Sequence, residues 1–232
     1  MLNVDFTPGW FSGADIIIDI VSVVVLTLLA IIAFQYYRCS NKKVEYLWFS
    51  VATAFLSVGF LAKIFTNFTL YQHVWATKQV GIHVFLYHGV RASESFIFAT
   101  NLIYHILTLL GLYTLFSLYY KKQHLASVIL TVFLLFVTVY FTHSAYYVFH
   151  LTSLLILLFI LIHYYQTAQK DQLGKMIFRS FCIIALSQLL FIFLSFNNLL
   201  YPIAEVVQLI GYLLLLISII MVRSYGRKTI SH

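Results

Sequence analysis

Charge is scarce in this chain: only 9% of its 232 residues are Asp, Glu, Lys or Arg, where soluble domains carry roughly a quarter. Such a sequence cannot cover a water-facing surface, which excludes the soluble globular class. Proline is limited to Pro8 and Pro202, so nothing in the long apolar stretches interrupts a helix. The two cysteines, Cys39 and Cys182, are too few for a disulfide scaffold and read as free structural thiols in the cytoplasmic half, where thiols stay reduced. No Ser-His-Asp arrangement, Gly-rich phosphate loop or paired-carboxylate motif is present, and no enzymatic activity is expected. The histidines lack HxxxH, HxxH or Cys/His spacing, and no metal site is expected.

What is abundant is hydrocarbon, with 62% of residues hydrophobic and 18% aromatic. A membrane span needs about 20 apolar residues to cross roughly 30 Å. Seven stretches qualify, at about 14–37, 44–69, 94–120, 124–142, 145–166, 175–197 and 201–223. Lipid offers no hydrogen bonds to a backbone, so each span must be helical. The fold class expected is an all-α integral membrane bundle of seven helices in a single transmembrane domain. Residues 1–13 lack a basic segment, so the first span reads as retained rather than as a cleaved signal.

The net charge of +7 does not point to nucleic acid, because the basic residues fall in short clusters between apolar runs. Setting aside Lys63, Lys78 and Arg91, the other 11 of the 14 Lys and Arg lie on one side. Basic loops stay in the cytoplasm, so the N-terminus is expected outside and the C-terminus inside, with the chain multi-pass in the cytoplasmic or plasma membrane.

An internal repeat is also legible. Spans two and six align without a gap at an offset of 130 residues, pairing Ser50 with Ser180, Ser57 with Ser187, Asn67 with Asn197 and Tyr71 with Tyr201. Leu109-Leu110-Gly111 pairs with Leu209-Ile210-Gly211 at an offset of 100. Spans one to three thus repeat as spans five to seven, in parallel, with span four as the linker. Residues 70–93 form a long outer connection rich in β-branched and aromatic residues. A β-hairpin lid is expected there, with a re-entrant or interfacial piece as the alternative. The sequon Asn67-Phe68-Thr69 sits at a span end, where modification is not expected.

Ionisable groups at membrane depth are costly and usually face the bundle interior or a watery cavity. Asp19, Lys63, His105 and Glu205 stand out, with His150 at similar depth and Glu94 and Asn101 near the start of span three. These seven are the candidate ligand-binding or ion-pathway residues. Asp19 or Glu205 is expected to neutralise Lys63, in a polar cavity opening outward beneath the lid.

Arg91, Glu94 and His105, on seven helices with an outer hairpin before span three, resemble the microbial rhodopsin pattern of arginine, counter-ion acid and inner proton donor. The seventh span, 201–223, carries no lysine for a retinal Schiff base, so neither retinal nor any other cofactor is expected. The three-one-three parallel repeat resembles the SWEET and PQ-loop transporters, although their Pro-Gln signature is absent. In length and topology the chain is also similar to seven-helix input domains of prokaryotic sensor kinases. The leading expectation is a sensor or receptor-like module that binds a small ligand at its outer face and signals to a membrane or cytoplasmic partner. A small-solute or proton-coupled ion transporter or channel is the runner-up, and a membrane scaffold subunit the third reading.

Overall fold

The computed structural model describes residues 8, 10–11, 13–39, 43–80, 86–119, 147–168 and 172–228. Six α-helices run along them: α1 Ala14–Cys39, α2 Val44–Val80, α3 Leu86–Tyr119, α4 Tyr147–Ala168, α5 Gln172–Ile192 and α6 Leu200–Lys228. All six contain a stretch long and apolar enough to cross a membrane. The expected span at 124–142 lies outside the described residues.

The distribution of polarity identifies the solvent. On α1 the large residues Ile17, Ile20, Val24, Leu28 and Ile31 are exposed, while Asp15, Asp19 and Ser22 are buried. A water-soluble helix would reverse that arrangement, whereas lipid outside and polar groups inside is the membrane pattern. Exposed Phe65, Phe98, Phe159, Ile162 and Ile203 continue the apolar exterior on α2, α3, α4 and α6.

Local chemistry sets the helix ends. Asp15 Oδ1 accepts from the backbone N–H of Gly13 at 3.0 Å and of Ile16 at 2.9 Å, satisfying donors at the start of α1. Gly13 holds φ at +94°, a left-handed turn that glycine adopts without steric cost. α5 tightens into a 3₁₀ turn at Phe193–Ser195. Asn197 Oδ1 then accepts from the Leu199 N–H at 2.9 Å. Pro202 falls in the first turn of α6, where its missing N–H leaves no helical bond unmade.

Residues 70–93 do not form the expected hairpin lid. α2 continues helically to Val80 and α3 begins at Leu86, so the connection is two helix ends joined through residues 81–85. The physical reason is cooperativity: an existing helix gains a backbone bond with each added residue, whereas an isolated two-stranded hairpin is marginal. With 37 residues, α2 measures about 55 Å at 1.5 Å per residue, well beyond the roughly 30 Å of hydrocarbon.

Each described helix packs against its neighbours in the chain, and α6 returns to α1, closing a ring. α3 and α4 run in the same direction. Tyr104, midway along α3, and Phe149, at the start of α4, are 5.5 Å apart between ring centroids, and near the ends of both helices Leu118 and His163 share one cavity. The ring is filled by a core of Leu26, Leu29, Leu56, Phe60, Leu115, Leu157, Ile160 and Phe181, with Tyr212 and Leu215.

Two glycines permit the closest helix approaches. A Cβ on Gly111 would lie 2.9 Å from the backbone oxygen of Ala52 on α2, and one on Gly211 only 2.5 Å from Ile184 Cγ1 on α5. Gly111→Ala is therefore expected to force α2 and α3 apart and lower stability by about 1–3 kcal/mol, the usual range for overpacking. Thermal unfolding in nanodiscs measures it, and an unchanged midpoint would contradict the packing described.

Candidate functional site

The candidate residues gather at the end of the ring where α1, α3, α4 and α6 begin. Lys63, on the penultimate turns of the α2 span, donates to Asp19 Oδ1 at 2.8 Å and to Glu205 Oε1 at 2.6 Å. The two carboxylates come from α1 and α6, and their residues are 0% and 1% exposed. The expected neutralisation of Lys63 thus involves both acids at once. The ammonium also lies 5.5 Å from the centroid of the Phe60 ring, within range of its negative face.

A third carboxylate joins this group. Asp15 is buried, four residues and one helical turn before Asp19. Asn67 Nδ2 donates to Asp15 Oδ2 at 3.1 Å and makes a long 3.5 Å contact to Asp19 Oδ2. With every group ionised, Lys63, Asp15, Asp19 and Glu205 sum to −2. The partial positive charge at the α1 N-terminus, where Asp15 sits, offsets part of this. The Lys63–Asp19–Glu205 triad itself still carries a formal −1, which a buried site must balance with a proton or a cation.

The histidines occupy the other half of the same end. His150 Nδ1 lies 2.9 Å from Gln188 Oε1 on α5, and its ring stacks on Phe191 at 4.6 Å. His105 packs against Phe149 at 4.3 Å and Tyr104 at 5.1 Å between centroids. Aromatic contacts link the two halves: Phe60 meets Tyr104 at 6.1 Å, Tyr104 meets Phe149, and Phe191 meets Tyr201 at 6.0 Å. Asp19, Lys63, His105, His150, Gln188 and Glu205 are therefore contributed one each by the six described helices.

Not every candidate joins this layer. Asn101 is exposed on α3, and the side chain of Glu94 lies outside the described residues. Gln188, Asp15 and Gln208 were not singled out as site residues in the sequence, and Asn67 only as a repeat position and the first residue of a sequon. The signal for Asp15 was its one-turn spacing from Asp19; for the glutamines it was a buried amide in an apolar helix. Gln208 Nε2 donates to the Tyr212 hydroxyl at 3.1 Å. Among the described residues no three His, Cys, Asp or Glu side chains converge as a metal site would require.

No family model, no curated protein and no solved structure matches this chain. What stands is an all-helical membrane protein with a buried polar layer.

Removing the cation should expose the value of the triad. Lys63→Met leaves two buried carboxylates without a counter-charge and is expected to cost about 3–5 kcal/mol. Adding Asp19→Asn and Glu205→Gln to it should recover most of that loss. Unfolding midpoints of the single and triple variants in nanodiscs provide the comparison, and equal losses would show that the charges are not coupled.

Proposed function

We propose that this chain is a seven-span membrane transporter, N-terminus outside, whose Lys63–Asp19–Glu205 cluster takes up a proton or small cation as it moves a small solute. The observation that carries the reading is one ammonium shared by two buried carboxylates on different helices. A proton arriving on Asp19 or Glu205 neutralises the triad and weakens one arm of the Lys63 pairing. Because Asp19 is on α1 and Glu205 on α6, that change falls on the seam where the beginning and end of the chain meet. Charging is thereby linked to helix position, which proton coupling requires.

The repeat supports the same reading. Exchanging α1–α3 with α4–α6 maps every helix neighbour onto another: α1 with α6 onto α4 with α3, and α2 with α3 onto α5 with α6. Gly111 packs on α2 and Gly211 on α5, the corresponding partners. Two similar halves that rock about a common axis are a frequent basis of alternating access. A seventh crossing is supported by the parallel run of α3 and α4, since residues 120–146 join the far end of one to the near end of the other.

The receptor-like reading loses its lid, because the outer connection continues as helices. It keeps one favouring observation, the absence of a break within the crossing segments of α1 to α4. Proteoliposomes loaded with a pH-sensitive dye distinguish the two. A transporter acidifies the lumen when a pH gradient is joined by one member of a solute panel of amino acids, sugars and organic cations. Lys63→Ala or Glu205→Gln should lower that rate by at least about tenfold. Binding without flux would favour a receptor, and a folded protein showing neither would favour a scaffold.

Orientation has its own test. Cys39 is exposed at the end of α1, while Cys182 lies within α5. In intact cells a membrane-impermeant maleimide should leave Cys39 of the Cys182→Ser variant unlabelled, and permeabilisation should expose it. Labelling without permeabilisation would invert the topology.

A further inference from the structure

At the end of the ring opposite the charged layer, all six described helices line a cavity of about 420 Å³. Its size falls within the usual range for small-molecule sites. The wall carries Tyr36, Tyr46, Phe49 and Tyr164, with Glu45 at the start of α2 and His163 near the end of α4. Tyr36 and Tyr46 stack at 5.6 Å between centroids, with their planes 27° apart, so they form a continuous aromatic surface between α1 and α2. The rest of the described lining is aliphatic, from Ala33, Leu118, Ile177, Leu215 and Ile219.

We infer that this cavity binds an amphiphilic organic cation, a protonated or quaternary amine with an apolar body. Three features select that class. Glu45 is the one carboxylate in the described lining, which also holds the imidazole of His163, and that carboxylate repels anions. Four aromatic side chains line the wall, and aromatic rings attract a diffuse organic cation, best where water is excluded. The aliphatic wall suits an apolar body, whereas a sugar would bring hydroxyls with few partners there. The core residues Leu56, Phe60 and Tyr212 close the floor between this cavity and Lys63. As a binding site the cavity stands without transport; as the place where the solute enters, it rests on the transporter reading.

The test uses the full chain in nanodiscs without any gradient. The probes are benzyltrimethylammonium and neopentylbenzene, its uncharged counterpart of the same shape, followed by quenching of intrinsic fluorescence and by equilibrium dialysis. The wild type should bind the cation and show at least about tenfold preference over the neutral compound. Glu45→Gln should weaken the cation about tenfold. Tyr46→Leu should weaken it while Tyr46→Phe, which keeps the ring, should not. Equal affinity for both probes would overturn the proposal, as would cation binding indifferent to Glu45→Gln and Tyr46→Leu. Cation binding that obeys these variants in a protein without flux would retain the site and reject only the transporter.

Discussion

An ammonium held between two carboxylates, away from water, is the interaction on which the rest of this molecule depends. Desolvating three charges in a low-dielectric interior is costly, and mutual attraction compensates only when the geometry is good. Here the distances of 2.8 and 2.6 Å are short, charge-assisted hydrogen bonds. The pairing also ties three helices together where lipid supplies no hydrophobic force between them. α1, α2 and α6 meet through side chains of opposite charge, so the seam between the two ends of the chain is electrostatic. That makes it sensitive to protonation in a way that packed methyl groups are not.

The aromatic residues give this electrostatic centre its surroundings. Phe60 lies beneath the ammonium, Tyr104 and Phe149 carry the packing across to the histidines, and Phe191 returns it to Tyr201 on α6. Rings of this size exclude water while their polar edges tolerate nearby charge. The charged layer is therefore flanked by aromatic rings. Below it the aliphatic core fills the ring, and a cavity opens among Tyr36, Tyr46 and Tyr164. Polar, apolar and aromatic zones succeed one another along the axis.

Composition alone was enough to assign lipid as the solvent, and six of the expected spans correspond to described helices. Asp19, Lys63 and Glu205 were legible as a group because a charge in an apolar helix stands out against its background. The joint pairing of Lys63 with both acids was not, since it depends on α6 returning beside α1, a long-range closure that no local pattern encodes. The outer connection was misread for a different reason. Val74, Trp75, Thr77 and Val80 favour strands by intrinsic preference, but that preference is weak, and a helix already formed up to Asn67 prevails over it. Asn101 is exposed, since the face it presents follows from the rotation of α3, which sequence spacing alone does not fix.

The glycine contacts differ in kind from the charged seam. Gly59 and Gly111 bring α2 and α3 nearly backbone to backbone, and Gly211 does so for α5 and α6. Within each triplet, then, the described close approaches leave no slack for a methyl group, while the triplets touch one another through longer, rotatable side chains. Mechanically this is a pair of stiff shells on a compliant joint. Bulk added at the joint can be absorbed by rotamer changes, whereas bulk added inside a shell displaces main chain, so tolerance to sequence drift should be unevenly shared between them.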